Sequence, residues 1–418
     1  MKLISPRALL AALALAATAL APAVASAAPG TPVSSHPIEH VAAISGVKAE
    51  KISYESALMD GRPTTVTGVI YEPSVAWNGP GERPTIVFAP GTRGAGDQCA
   101  PSNAAQSVGN VALGPANQVT LNMNYEYALH QYAAQQGVRV VTTDLVGLGT
   151  PGHHTYVNHI EEAYAVLDAA RATLRHVNAP ADAPVAFAGY SQGGGAAAAA
   201  AEFAATYAPE LNVKGTYAGA PPANLFEVMN AVDGSSIVHV LGYAINGYAE
   251  RSPEFYNEIV TEMNPRGMHF LASAAHACIG DSIATWGFTH TSQLTKTGES
   301  FGELVRRKPA AAQILASQRL GQRALNAPML VMNSPTDDLI PYDQARAMAG
   351  NYCSLGGTVQ FKAAKPVDVL PRSGVNHAVG ILSSVPRGVD YLIDRFKDVP
   401  APSLSPRISP QTHAKNAI

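Results

Sequence analysis

Residues 183–207 read APVAFAGYSQGGGAAAAAAEFAATY. This is a short apolar strand run, a turn carrying Gly189-x-Ser191-x-Gly193, and an alanine-rich stretch that favours helix over any other state. A strand that passes into a helix through so tight a turn needs glycine on both sides of the serine, because a Cβ there would collide with the neighbouring strand or helix. The five-residue pattern alone is weak evidence. A strand directly before it and a helix directly after it supply the context the pattern requires.

The same alternation runs through much of the chain. Val66–Tyr71, Thr85–Ala89, Val138–Asp144, Val185–Ala188 and Val213–Tyr217 read as strands, the helical stretches being Tyr125–Gln136, Val157–His176 and the alanine run to Tyr207. The spacing of Glu161, Glu162, Ala165, Leu167, Ala169 and Leu174 predicts an amphipathic helix. From Ala223 to Leu320 the rhythm stops, with no clear strand and several Gly-interrupted apolar pieces. It resumes with a strand at Met329–Asn333, a helix at Tyr342–Tyr352, a strand pair region at Val359–Leu370 and a closing helix at Val379–Phe396. The economical reading is an α/β fold with a mostly parallel sheet and a large, mainly helical insertion of roughly 100 residues. The expected divisions are a leader at 1–27, a first core part at 28–222, the insertion at 223–320, a second core part at 321–400 and a tail at 401–418.

The leader has Lys2 and Arg7 before an apolar run of about 13 residues, then the small residues Ala25-Ser26-Ala27, the pattern of a secretory signal cleaved near Ala27. The run is short for a membrane span. Of the 418 residues 47% are hydrophobic and 14% charged, and the net charge is −3, which gives ample core material and no electrostatic footprint for nucleic acid. Three cysteines are too few for a disulfide scaffold, and with no CxxC or HExxH run the chain carries no metal signature. No cofactor and no stable protein partner are implied.

A nucleophilic serine needs a base and an orienting carboxylate. Downstream of Ser191 the chain offers Asp337 and Asp338 directly after a strand, then His377 in the loop before the closing helix, in the chain order Ser, Asp, His. The residues alone leave the choice between the two aspartates open. In an α/β-hydrolase turn of this kind one oxyanion-hole N–H belongs to the residue after the nucleophile, here Gln192, and the other comes from the loop after the third strand, where Thr92 is favoured. His153 and His154 belong either beside the pocket or to a structural loop.

GYSQGGG, SPTDDLIPY, APGTRGAGDQCAPS and DLVGLGTPGHHTY together resemble the secretory lipase family of α/β-hydrolases over roughly Ile52 to Phe396. The resemblance implies a secreted carboxylic ester hydrolase with a helical lid, the triad Ser191, Asp337 and His377, and the acid four residues before Pro341. It also implies a disulfide between Cys99 and Cys278, leaving Cys353 outside the pairing and expected to be buried. The low charge of residues 223–320, with apolar pieces such as Ile237–Leu241, favours medium to long acyl esters, including triacylglycerols, and allows transient contact with lipid interfaces. A secreted acyltransferase using the same triad and a short-chain esterase are the alternatives.

Overall fold

The computed structural model describes residues 27–39, 46–114, 119–366 and 368–402. The apolar leader run and most of the expected tail lie outside them. Among the described residues, strands β1 (Pro32–Ile38), β2 (Val47–Ala57), β3 (Pro63–Pro73), β4 (Thr85–Ala89), β7 (Arg139–Thr143), β8 (Pro184–Tyr190), β9 (Asn212–Gly219), β10 (Met329–Asn333) and β11 (Val359–Ala363) form one sheet. Its spatial order is β1-β2-β3-β7-β4-β8-β9-β10-β11. The pairings from β7 to β11 are parallel, and β1, β2 and β3 join antiparallel at one edge.

The parallel strands are covered on both faces, so β4, β7 and β10 are buried at every residue. On one face lie α2 (His159–His176) and α3 (Gln192–Tyr207), and on the other α1 (Tyr127–Gln135) and α12 (Val375–Phe396). The alanines of α3 let it press closely on the sheet and on α2, and both helices bury most of their circumference. This differs from the amphipathic α2 expected from spacing: Glu161 and Glu162 are both buried.

Between β9 and β10 the chain forms α4 (Leu225–Val232), α5 (Val240–Arg251), α6 (Pro253–Ile259), α7 (Pro265–Ala274), α8 (Ile279–Trp286), α9 (Phe301–Arg307) and α10 (Pro309–Ser317). These share an apolar cluster of their own, which also takes in Ala95, Tyr156 and Val157 from the core. A second small sheet, β5 (Gly109–Leu113) with β6 (Val119–Met123), flanks the loop after β4. The remaining helix, α11 (Tyr342–Ser354), lies between β10 and β11.

Several expectations need correction. The region Val359–Leu370 contributes one strand, β11, and not a pair. The closing helix starts at Val375, so His377 stands in its first turn instead of in the loop before it. The edge strands β1 and β2 and the β5–β6 hairpin were not expected: β1 and β2 are rich in short polar and charged residues, and the hairpin turns its apolar Val111, Leu113, Val119, Leu121 and Met123 outward. The Cys99–Cys278 disulfide is present, joining residues 179 apart in sequence. Cys353 is half-buried instead of buried.

Candidate active site

Ser191 stands between β8 and α3 with φ +58° and ψ −124°, a conformation that L side chains seldom adopt. Two neighbours make the turn possible. A Cβ on Gly189 would lie 2.1 Å from the Gly193 carbonyl oxygen, and one on Gly193 would lie 2.0 Å from that of Ala89. The Ser191 N–H donates to the Gly219 carbonyl at 2.9 Å, tying the turn to β9. The serine is thereby held at the end of the central strands, where open α/β sheets place their ligands.

The loop after β10 and the start of α12 bring Asp337 and His377 together. His377 Nδ1 is 2.8 Å from Asp337 Oδ2, and the Asp337 side chain is fully buried. Its Oδ1 accepts from the Leu339 and Ile340 N–H groups at 3.0 and 2.8 Å, so the carboxylate cannot swing away. Asp338 is occupied elsewhere: its oxygens accept from the Gly374 and His377 backbone N–H groups at 2.9 and 3.1 Å, at the start of α12. The geometry thus puts Asp337 on the imidazole and Asp338 on the helix terminus. Tyr190, directly before Ser191, donates through its hydroxyl to the His377 carbonyl at 2.8 Å, and the two rings lie 5.1 Å apart. Burial, with the nearby Asp337 charge, raises the Tyr190 hydroxyl well above its usual range, so it stays a neutral donor.

The loop after β4 carries Thr92 and is pinned on several sides. Gly91 donates to Glu126 Oε1 at 2.7 Å, Tyr125 donates to the Thr92 carbonyl at 3.1 Å, and the Thr92 and Tyr156 hydroxyls are 2.7 Å apart. Arg93 is paired with Glu126 at 2.5 Å, both side chains being buried, and its guanidinium lies over the Tyr125 ring. The inserted helices grip the same loop: Ala95 and Ile279 donate to the Ala277 and Arg93 carbonyls at 3.0 and 2.8 Å, alongside the Cys99–Cys278 bridge.

Ser191 and Gln192 border a narrow cavity. Its wall is built by Leu225, Val228, Met229, Ile237, Ile245 and further apolar residues between β9 and β10, with Leu339 and Ile340 from the core; among the described residues no charged side chain lines it. His154 is kept from this wall by its own contacts. Its ring is buried, with Nδ1 2.8 Å from the Val146 carbonyl and Nε2 2.9 Å from the Gln192 side-chain nitrogen. His153 is half-buried, and its backbone N–H donates to Glu250 at 2.7 Å. Sequence reasoning missed Tyr156, Glu126, Tyr190 and Glu162. The only signal for them was their closeness in sequence to the motifs, and Glu162 in particular looks like an ordinary first-turn carboxylate.

A profile of the family described as secretory lipase matches residues 114–403, more than half of the chain. The chain belongs to the secretory lipase family. Among similar proteins is the secreted triacylglycerol lipase LIP1 of Malassezia furfur, 27% identical over 48% of this chain and 42% of that protein. A protein of Mycobacterium tuberculosis named probable inactive lipase MT1628 is 25% identical over 85% of this chain and 75% of its own length. The structure of Candida antarctica lipase A in its closed state superposes with a TM-score of 0.71 at 20% identity, covering 90% of this chain and 84% of that one. That likeness fixes the fold as an α/β-hydrolase. The chain spans about half the length of the first curated relatives it matches.

Proposed function

We propose that the protein is a secreted serine hydrolase that cleaves carboxylic esters of medium to long acyl chains, triacylglycerols included, through an acyl-enzyme on Ser191. The observation that carries this reading is a serine in a left-handed turn at the edge of an uncharged apolar cavity. Ser191 Oγ attacks the ester carbonyl while His377 takes its proton, and Asp337 holds the imidazole in the required tautomer and stabilises the imidazolium. The backbone N–H groups of Thr92 and Gln192 receive the negative charge that develops on the carbonyl oxygen. The C–O bond then breaks, His377 returns the proton to the departing alcohol, and water repeats the sequence to release the acid.

The apolar cavity is suited to an acyl chain, whereas a phosphorylated or peptide substrate would call for fixed ionic partners in the wall. The names of the fungal relatives and the leader sequence agree with action outside the cell. A rate series on p-nitrophenyl esters of increasing chain length, with emulsified tributyrin and triolein, tests the reading. Activity is expected to rise beyond the acetate ester and to vanish in Ser191→Ala. Activity confined to acetate esters overturns the substrate class, and an active Ser191→Ala protein overturns the nucleophile.

A further inference from the structure

The residues proposed to donate to the oxyanion are far apart in sequence, yet one short stretch of chain holds the side chains of both. Tyr156 meets Thr92 hydroxyl to hydroxyl at 2.7 Å. Six residues later Glu162 Oε1 lies 2.9 Å from the Gln192 side-chain nitrogen, and His154 Nε2 lies 2.9 Å from the same atom. His154, Glu162 and Gln192 are each at most 2% exposed.

The hydrogens in this cluster can be assigned. His154 Nδ1 faces the Val146 carbonyl, which only accepts, so Nδ1 carries the proton and Nε2 accepts. The Gln192 amide then gives one hydrogen to His154 and the other to Glu162, and both of its donors are used. Glu162 Oε1 also accepts from the Val157 N–H at 3.0 Å, which ties the carboxyl to the loop bearing Tyr156. A buried carboxyl is costly, and an apolar side chain of similar size would serve packing alone. Glu162 forms no salt bridge among the described residues; the nearby Arg251 pairs with Glu161 and Glu250.

We propose that residues 154–162 are a positioning clamp for the oxyanion hole: Tyr156 fixes Thr92, and His154 with Glu162 fixes Gln192, so that both backbone N–H groups stay aimed at one point. The clamp rests on the reading of Ser191 as nucleophile. It acts before any substrate arrives, and such preorganisation is what makes oxyanion donors effective. Burial raises the Glu162 carboxyl to about 8 and lowers the His154 imidazole to about 4, so near neutral pH both groups are uncharged. Facing Glu162 are His154, Tyr156, Glu161, Gln192 of α3 and Tyr248 of α5. Ionisation of Glu162 above pH 8 puts a buried negative charge beside the developing oxyanion and opposes it.

The test compares Glu162→Ala, Glu162→Gln and Gln192→Met with the wild-type enzyme on a soluble p-nitrophenyl ester, with a separate sample of each protein titrated by a fluorophosphonate to show that Ser191 is reactive. Glu162→Ala and Gln192→Met are expected to lower kcat roughly 10- to 100-fold with KM nearly unchanged. Affinity for a trifluoromethyl ketone, which mimics the tetrahedral intermediate, should fall by the same factor. Glu162→Gln keeps a carbonyl acceptor and should recover most of kcat. It should also lose the alkaline decline near pH 8 that the wild type shows. If Glu162→Ala fails to fold, Gln192→Met, which keeps the backbone N–H and the volume, decides. Folded variants whose titrated samples take the label and whose untreated samples keep wild-type kcat and ketone affinity overturn the clamp alone, whereas wild-type protein that takes no label at Ser191 overturns the hydrolase reading and the clamp with it.

Discussion

Asp337 and Asp338 are chemically the same and adjacent, yet one faces the imidazole and the other the first turn of α12. Replacing each by asparagine separates the two tasks. Asp337→Asn leaves an amide that can present an N–H to His377 Nδ1 and favour the wrong tautomer, so kcat should fall by about 10⁴. Asp338→Asn weakens an anion at a helix N-terminus, and the expected cost is about 1 kcal/mol of stability with kcat far less affected. Steady-state kinetics and thermal unfolding of both variants check this, and the reverse ranking moves the acid role to Asp338. The residue types of the site were legible in the sequence because Ser, Asp and His each sit at a strand end or helix start. Glu162 was not, since nothing in a first-turn glutamate says that α3 will press over it.

At the scale of elements, the strands that could be read in advance are those buried on both faces, such as TIVFA at β4 and MLVMN at β10. The edge escaped notice because β2 alternates Ile52, Tyr54 and Ser56 with Lys51, Ser53 and Glu55, a pattern that polar loops also show. Within the insertion, periodicity says that helices form but not which of their faces meet, so the cavity wall had no sequence signature. Ile245 of α5 is buried and lines that cavity. Ile245→Trp fills part of the space, and the ratio of activity on a long-chain p-nitrophenyl ester to that on the butyrate should drop at least about tenfold. An unchanged ratio means that the acyl chain lies elsewhere.

The whole molecule keeps several imidazoles uncharged. Burial pushes His130 down to about 3 and His154, His159 and His239 to about 4. Each takes up its proton in the unfolded chain near pH 6.5 but not in the folded one, so stability should fall as pH drops from about 6.5 to 4. Glu162 works in the opposite sense. Its raised folded value means that the unfolded chain releases the proton first, and stability declines as pH rises from about 4.5 to 8. Thermal unfolding across pH 4–9 should therefore show losses on both sides, the alkaline one reduced in Glu162→Gln.

The Cys99–Cys278 bond closes a covalent ring around Ser191 while leaving Asp337 and His377 outside it. A protease that cuts the chain at the exposed Pro151-Gly152 tip opens that ring without dividing the molecule. The nicked protein should migrate as one band on a denaturing gel without reductant and as two with it. A single cut there puts Thr92 on one fragment and Ser191, Asp337 and His377 on the other, so the loop after β4 cannot drift away from Ser191 until the disulfide is reduced.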